Sequence, residues 1–533
     1  MNHPFCSGKS LMLMGYLALM IVMGSFVDSS ALGRRQLACA QPGKIVDENG
    51  NTVILRGLGL GGWLLPEAYE WTFNADATKG AVHYYDRPRR FEQGILDLLG
   101  GDTASALAFW KAYHDNFVTE MEVAKMKAWG CNHLRVAINA NVLQPRDGQP
   151  ANPPYVYDPE GWRILDNFVA WCTKWKVWII WDMHGAPGGQ AGQNIDDSNG
   201  QPLLWNQPAT YGPRTIDLWM QIVRRYADND WVVGYNLLNE PRLDANGISR
   251  TVYYNFCKQL TDSIRKVDTK GLLFIDGDNY AQNFTSLTPP WDPQVVYSFH
   301  CYPPVNWGVA WMGLDTIQAK YKTPLWHGET GEQAPPYSGN TSAVTALEGV
   351  NPPIGWCWWT HKKFNNNTQP WNILMKPGFT TLVNWLKSQG NAYNPSTPNK
   401  PTVANAKLWL MQQAAALVSD SCTFLPDMVR SLKLNPDAIV PVSEGIRRTP
   451  EANIVKLRHE VNNDGSVTVL FSPQATTSKI RIYTMAGKKL MDANAAAGAA
   501  KIVWNGKRAG NGVYLYTLTV GSKEISNQMV LTK

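Results

Sequence analysis

The chain has 533 residues, a net charge of +6 and only 17% charged residues. This length exceeds one ordinary domain and fits one large barrel with a small additional module. Because no dense run of lysine and arginine occurs, the composition argues against a nucleic-acid-binding protein. The 23 tryptophans stand out, since tryptophan suits both apolar cores and flat surfaces on which ligands stack.

The N-terminus carries an apolar run from Leu11 to Val27, which is followed by Asp28-Ser-Ser-Ala31. This pattern predicts a secretory signal peptide over residues 1–31 and a secreted or cell-surface protein. The run is long for a signal peptide, and Arg34 and Arg35 follow it. An uncleaved membrane anchor is therefore the alternative.

Eight short apolar runs predict eight buried β-strands. Nearly continuous hydrophobicity, rather than alternation, is typical of parallel strands that are covered on both faces. Helical segments lie between the runs, for example at 117–129, 161–175 and 252–266. The pattern predicts an α/β fold, a (β/α)8 TIM barrel over residues 41–440. The predicted strands are 53–60, 132–138, 177–183, 232–238, 272–276, 295–300, 323–328 and 354–359.

The pattern changes beyond a boundary that we place near 435–455. Short alternating runs follow at 466–471, 479–483, 501–504, 512–520 and 525–531. They predict a small C-terminal β-sandwich over residues 451–533.

Two carboxylates end two of the predicted barrel strands. Glu240 follows the fourth run in Asn239-Glu240-Pro241, and Glu329 follows the seventh in His327-Gly328-Glu329. The carboxyl ends of TIM-barrel strands form the active-site face. A carboxylic acid and a carboxylate that face one bond are what hydrolysis of a glycosidic linkage needs. Other polar residues lie in or just after four further predicted strands, namely Arg135, His184, His300 and Trp359.

Two other patterns do not carry the chemistry that they first suggest. Gly57-Leu-Gly59-Leu-Gly-Gly62 matches a dinucleotide fingerprint, but Trp63-Leu-Leu-Pro66 follows where a helix should begin. The histidines form no HExxH pair and the cysteines no CxxC pair, so we predict neither a metal nor a cofactor. Hydrolysis by paired carboxylates requires no metal.

Seven short motifs follow one another along the predicted barrel. They are Gly61-Gly-Trp63 with Glu67, Asn132-His-Leu-Arg135, Asp182-Met-His184-Gly-Ala-Pro-Gly188, Leu238-Asn239-Glu240-Pro241, His300-Cys-Tyr302, Gly328-Glu329 and Gly355-Trp-Cys-Trp-Trp359. In this order they resemble glycoside hydrolase family 5. The resemblance covers roughly residues 44–435, and the branch most similar to this chain holds exo-β-1,3-glucanases. One departure is that the eighth-strand motif Trp-x-Trp-Lys of that branch reads Trp359-Thr-His361-Lys362 here.

The resemblance implies a retaining double displacement on a β-glucan. Glu329 would be the nucleophile and Glu240 the general acid and base. Asn239 would bond the sugar 2-hydroxyl, while Arg135 and Tyr302 would hold Glu329 ionised. The residues implied to contact the reacting sugar are Glu67, His184, His300 and Trp359.

Two alternatives to β-glucan hydrolysis stay open, a β-mannan-active relative and a non-catalytic glycan-binding protein on the same scaffold. The C-terminal segment, with Lys479-Ile-Arg-Ile-Tyr483 and Met529-Val-Leu-Thr-Lys533, resembles sorting domains of type IX secretion. That resemblance implies contact with secretion machinery, and a carbohydrate-binding sandwich is its alternative. We expect a monomer.

Overall fold

The computed structural model describes residues 36–73, 84–302, 313–331, 334–440, 457–462, 466–471, 477–484, 488–505, 509–510, 512–520 and 523–531. The chain divides into two compact units, residues 1–440 and 441–533. The predicted signal peptide at 1–31 lies outside the described residues. Over the part that is described, no helix has the length and apolar character needed to cross a membrane.

Eight parallel strands of the first unit close into a barrel, which confirms the predicted fold. They follow one another around the barrel in chain order, and the eighth strand pairs with the first. Each is buried almost throughout, as their continuous hydrophobicity predicts. After the hairpin β1 (Leu37–Ala40) and β2 (Lys44–Asp47), the barrel strands are β3 (Arg56–Gly59), β4 (His133–Asn139), β5 (Trp178–Gly185), β6 (Val232–Asn236), β7 (Leu272–Asp276), β8 (Val295–His300), β9 (Leu325–Gly331) and β10 (Gly355–Trp359).

Helices connect and surround these strands. Many of them begin at a residue whose side chain accepts a hydrogen bond from a free backbone N–H, for example Asp102, Asp158 and Ser249. They are α1 (Pro88–Leu98), α2 (Thr103–Phe117), α3 (Glu120–Trp129), α4 (Ala140–Leu143), α5 (Pro159–Trp175), α6 (Leu203–Asn206), α7 (Pro208–Tyr226), α8 (Arg250–Ile264), α9 (Asp278–Ala281), α10 (Leu314–Tyr321), α11 (Ser338–Gly349), α12 (Pro377–Ser388), α13 (Val403–Ala415) and α14 (Pro426–Ser431).

The helix predicted at 117–129 is α3, which begins three residues later than predicted, because α2 ends at Phe117 and α3 begins at Glu120. Thr119 separates them. Its side chain accepts from the backbone N–H of Glu122, and the Glu122 side chain accepts from the backbone N–H of Thr119. This reciprocal capping starts a new helix where the apolar pattern alone reads as continuous.

The hairpin of β1 and β2 covers the end of the barrel opposite the strands' carboxyl ends. Leu37 and Ile45 join a buried apolar cluster with Phe274 and Trp326 of the barrel strands. The backbone N–H of Cys39 donates to Gln294 Oε1 at 2.8 Å, just before β8 begins. This end is therefore closed by packing, and polar side chains gather at the other end.

A short three-stranded sheet lies beside the barrel. It contains β11 (Lys362–Phe364), β12 (Trp371–Ile373) and β13 (Thr423–Phe424). Lys362 is fully buried, and its Nζ donates to Glu122 Oε1 at 2.5 Å and to the carbonyls of Phe117 and Leu417. Among the described residues, the seven cysteines from Cys39 to Cys422 are all free thiols.

The second unit is a pair of antiparallel sheets that share one apolar core, as the predicted β-sandwich requires. Trp504, Tyr514 and Tyr516 belong to this core, so they do not form an exposed platform for sugar rings. The strands β14 and β17 were not predicted. The strands are β14 (Leu457–Val461), β15 (Val467–Phe471), β16 (Ser478–Thr484), β17 (Lys489–Ala495), β18 (Lys501–Trp504), β19 (Gly512–Val520) and β20 (Lys523–Leu531).

Candidate active site

Glu329 lies within β9, and both of its carboxylate oxygens are held. Arg135 Nη1 donates to Oε1 at 2.5 Å, and the hydroxyl of Tyr302 donates to Oε2 at 3.0 Å. A register shift in the pairing of β8 with β9 places His300 beside Glu329. The His300 Nδ1 atom lies 3.6 Å from Glu329 Oε2. The carboxylate is therefore surrounded by hydrogen-bond donors.

Arg135 is the centre of this network. It is the third residue of β4, before the strand's midpoint, so its long side chain reaches the carboxyl end of the barrel. Besides Glu329, its guanidinium donates to Asn239 Oδ1 at 2.7 Å and lies 3.2 Å from Asp182 Oδ2. Its Nε donates to Asn236 Oδ1 at 3.0 Å. With these partners, a fully buried cation keeps its charge.

Glu240 is held by its backbone as well as by its side chain. Its φ of 41° lies in the left-handed region, and its backbone N–H donates to Asp276 Oδ2 at 3.0 Å. His300 Nδ1 lies 2.5 Å from Glu240 Oε1. An uncommon backbone conformation, fixed by the end of β7, thus aims this carboxyl group at His300.

The third group of side chains comes from the loop after β3 and from the ends of β5 and β10. The imidazole of His184 stacks on the indole of Trp359, with ring centroids 5.0 Å apart and planes 2° from parallel. Glu67 Oε1 lies 3.7 Å from His184 Nε2. The hydroxyl of Tyr69 accepts from Trp359 Nε1 at 2.5 Å and lies 3.4 Å from Glu67 Oε1. These residues form a buried wall of aromatic and polar groups.

Asn239 links that wall to Arg135. Its Oδ1 accepts from Arg135, so its Nδ2 faces His184 Nε2 at 3.2 Å. His184 Nδ1 donates to Asp182 Oδ2 at 2.7 Å. Burial alone would lower the pKa of His184, but the charge of Asp182 outweighs burial and raises it to about 10, so the imidazole is a cation in this network.

The two carboxyl groups are close in space and different in acidity. One oxygen each from Glu240 and Glu329 lie within 4.8 Å of each other. Burial alone would raise the pKa of Glu329, but His300 and Arg135 outweigh burial and lower it to about 2. Burial raises the pKa of Glu240, and the negative charge of Glu329 adds to that effect. One group is therefore a carboxylate, and the other retains a proton more readily.

Glu67 is a third buried carboxyl group at the site. Burial raises its pKa to about 7, against the opposing effect of His184. Glu240, His300 and Glu329 also bring oxygen and nitrogen atoms close enough to hold a metal ion. However, Glu329 Oε1 already accepts a hydrogen bond from Arg135, and Glu240 Oε1 lies at hydrogen-bond distance from His300 Nδ1. These carboxylate oxygens therefore have partners within the protein.

The structure brings together all nine residues that the sequence predicts for the site. Sequence reasoning missed several of their partners, although a signal existed for some. Asp182, Asn236 and Asp276 are charged or polar residues inside apolar strand runs, which itself marks a polar network. Tyr69 gave no such signal. His361 of the departing motif contacts Phe117 and Trp371 instead of the site residues.

Residues 100–365 match the model of the cellulase family, glycosyl hydrolase family 5. Over these residues the barrel is similar to the glycosyl hydrolases of family 5. Among its relatives, a β-xylosidase of Phanerodontia chrysosporium is 30% identical over 262 residues, 49% of this chain and 50% of that protein. A probable glucan 1,3-beta-glucosidase A of Aspergillus niger is 28% identical over 49% of this chain and 58% of its own length.

Endoglucanase C of Acetivibrio thermocellus is 27% identical over 40% of this chain and 58% of that protein. The chain thus spans about half the length of the curated relatives it matches. Among solved structures, the rutinosidase from Aspergillus niger aligns with a TM-score of 0.45 and 18% identity, over 58% of this chain and 90% of that one.

Proposed function

We propose that the barrel hydrolyses β-glucosidic bonds of a β-glucan by a retaining, two-glutamate double displacement. The observation that carries this proposal is the close pair of Glu240 and Glu329 with opposite pKa shifts. Carboxyl groups about 5–5.5 Å apart suit a covalent intermediate, whereas inverting enzymes leave about 6.5–9.5 Å for a water molecule. One oxygen of Glu240 lies within 4.8 Å of one oxygen of Glu329, which is compatible with the first geometry.

In the first step, an ionised Glu329 oxygen attacks the anomeric carbon as the bond to the leaving oxygen breaks. Glu240 gives its proton to that oxygen, so the leaving group departs as a neutral alcohol. A glycosyl ester on Glu329 remains. In the second step Glu240 takes a proton from water, the water oxygen attacks the anomeric carbon, and the ester bond electrons return to Glu329.

The surrounding residues serve these steps through their positions. Arg135 and Tyr302 hold the Glu329 carboxylate in one orientation and favour its charge. Asn239 has its amide fixed by Arg135, ready to bond a hydroxyl next to the anomeric carbon. Glu67 and His184, whose ring stacks on Trp359, offer polar atoms to the sugar on the non-leaving side.

A β-glucan substrate is supported by two of the relatives, which are named as a glucan 1,3-beta-glucosidase and an endoglucanase. A β-mannan stays the alternative. For the second unit we propose secretion sorting and, for the whole protein, export to the cell surface or beyond. The burial of Trp504, Tyr514 and Tyr516 supports sorting over glycan binding, because those rings are not available for stacking.

Chemical rescue tests the mechanism. Glu329→Ala should lower turnover by about 10⁴-fold or more, because the covalent intermediate cannot form. Azide should restore activity and give the α-glycosyl azide, identified by NMR of the product. Glu348→Ala is the matched control. Glu348 lies on α11 and pairs with Arg56 of β3, so its substitution should leave turnover unchanged. Full activity of Glu329→Ala without azide would show that a different group is the nucleophile.

A further inference from the structure

A polar cavity of about 180 Å³ lies on the catalytic face, between the carboxyl ends of β4 and β5. Asn139 is the last residue of β4, and Ala186 directly follows β5. His184 of the candidate active site lies two residues before Ala186. The cavity is therefore beside the catalytic carboxylates and separate from them. It is lined by Arg89, Asn139, Gln144, Arg146, Tyr211 and Arg214.

Three arginines and two aspartates, Asp147 and Asp197, line this cavity, and Glu92 pairs with one of the arginines from outside the lining. Arg146 is neutralised, because it pairs with Asp197 and lies 2.5 Å from Glu92. Arg214 is different. Its side chain is 6% exposed and donates to Gln144 Oε1 at 2.8 Å and to the carbonyl of Pro145 at 3.1 Å.

Within the described part of the chain, these partners of Arg214 are neutral and no carboxylate pairs with it. A buried charge without a counter-ion is costly. An anion in the cavity would compensate it.

The acceptors of the cavity are already used. Asp197 Oδ1 accepts from the Arg89 backbone N–H at 2.9 Å, and its Oδ2 accepts from Arg146. Gln144 Oε1 is taken by Arg214, and Asn139 Oδ1 accepts from the Asn141 N–H at 3.1 Å. A ligand that needs acceptors would therefore meet few of them here.

At least one hydrogen-bond donor of the cavity, by contrast, has no acceptor. Arg89 Nε is buried and lies 4.0 Å from the nearest Asp197 oxygen, and no residue within the described ranges accepts a hydrogen bond from it. Asp147 is the opposing charge, but it is exposed, and water screens it. The cavity thus offers unused cationic donors to a ligand that supplies acceptor oxygens.

We propose that this cavity binds the carboxylate of a uronic acid unit, with Arg89 and Arg214 as its cationic partners. A guanidinium matches a carboxylate with two parallel hydrogen bonds, which gives both strength and orientation. The volume equals that of about six water molecules and so limits the occupant to one sugar-sized group. The proposal rests on the proposed function in that it places the sugar acid on the same face as the catalytic pair.

Binding to the full-length protein tests the site directly. Calorimetry and ligand-observed NMR should show that glucuronate binds and that glucose does not, and added NaCl should weaken the binding. Arg89→Gln should weaken glucuronate binding about tenfold or more, since a charge-assisted hydrogen bond is lost. This variant should fold, because the guanidinium of Arg89 holds no neighbour in place.

Arg225→Gln is the matched control, because it removes an arginine that is 45% exposed and paired with Asp166 on the protein surface. Its glucuronate binding should equal that of the wild type. The proposal is overturned if Arg89→Gln binds as Arg225→Gln does, or if glucose binds as well as glucuronate. Inorganic sulfate that displaces glucuronate with equal affinity would also overturn the assignment to a sugar acid.

Kinetics separates the two sources of such a carboxylate. If the source is a side branch of the substrate, a uronosyl-branched glucan should show a higher kcat/KM than the unbranched one, and Arg89→Gln should abolish that gain. If the source is the free sugar acid, glucuronate binds while both glucans react equally. A wild type that binds glucuronate but cleaves no aryl β-glucoside would contradict the proposed hydrolysis and leave this site standing.

Discussion

Arg135 Nη1 donates to Glu329 Oε1 at 2.5 Å from a strand that is three positions away around the barrel. The contact crosses the barrel interior, since β10 and β3 lie between β9 and β4 in the sheet. It keeps the nucleophile candidate charged in a fully buried place. Arg135 thus joins two strands that are not neighbours through the candidate nucleophile.

Arg135→Met should move the acid limb of the kcat/KM profile to higher pH and lower activity by at least about 100-fold. Without the guanidinium, burial dominates and the pKa of Glu329 rises from about 2. Removing the guanidinium from beside the buried carboxylates of Asp182 and Glu329 should also cost about 3–5 kcal/mol of folding stability. Thermal unfolding and pH-rate profiles measure both effects.

Arg56→Met is the control for this substitution, because it breaks a partly exposed ion pair with Glu348 at the base of the barrel. It should shift neither limb of the pH profile. Arg135→Lys keeps the charge and should show a smaller shift than Arg135→Met. An unchanged acid limb in Arg135→Met would mean that His300 alone keeps Glu329 ionised.

Glu240→Ala should harm substrates with poor leaving groups far more than aryl glycosides whose leaving groups depart unaided. Azide should rescue this variant and give the β-glycosyl azide. Rates on a dinitrophenyl glucoside and on an oligosaccharide measure the difference. If both substrates lose activity equally, Glu240 has a structural role instead of acting as the acid.

Folding stability should decline in acid partly because of Glu329. Its pKa is lowered in the folded protein, from 4.5 to about 2, so the unfolded chain binds the proton first. The contribution is complete above pH 4.5 and is lost as the pH falls from 4.5 through 2.

Titration of Glu329 changes the free energy of unfolding by at most about 1.4 kcal/mol per pH unit. This contribution is measured by urea unfolding of the wild type and of Glu329→Gln at pH 3 to 7. The difference in unfolding free energy between them should move in favour of Glu329→Gln as the pH falls. A difference that is constant with pH would contradict the ionised state of Glu329.

A chain that ends after Val440 should hydrolyse soluble glucan as fast as the full chain. The candidate catalytic residues all lie in the first unit, and each unit has its own apolar core. EDTA should not change the rate, because the proposed steps use only carboxyl groups. In the native host, the shortened protein should stay in the periplasm. If it reaches the surface but binds insoluble polysaccharide poorly, the second unit is a glycan-binding domain.

Much of the barrel could be predicted because its strands are buried on both faces. Continuous runs such as VWIIWDM and VVYSFH leave few other interpretations, and the observed strands start and end within three residues of the predicted ones. The break between α2 and α3 could not be predicted from hydrophobicity, since it depends on the reciprocal capping of Thr119 and Glu122. Strand β17 was missed because its Lys489–Ala495 sequence, KLMDANA, contains no β-branched or aromatic residue.

The site residues were found through motifs, whereas their supporting contacts needed coordinates. Nothing in the sequence relates Tyr69 to Trp359, which are 290 positions apart. The backbone of Glu240 was equally hidden, because glutamate has no preference for a positive φ. Sequence motifs thus identify the candidate catalytic side chains but not the contacts that position them.

The left-handed backbone at Glu240 also has an evolutionary consequence. Glycine adopts a φ of 41° without steric conflict, whereas glutamate there costs about 1 kcal/mol or more. Selection for a more stable barrel alone would therefore favour losing the acid at this position. A glutamate persists there only while turnover is under selection, so the residue at 240 reports whether a relative of this protein is still an enzyme.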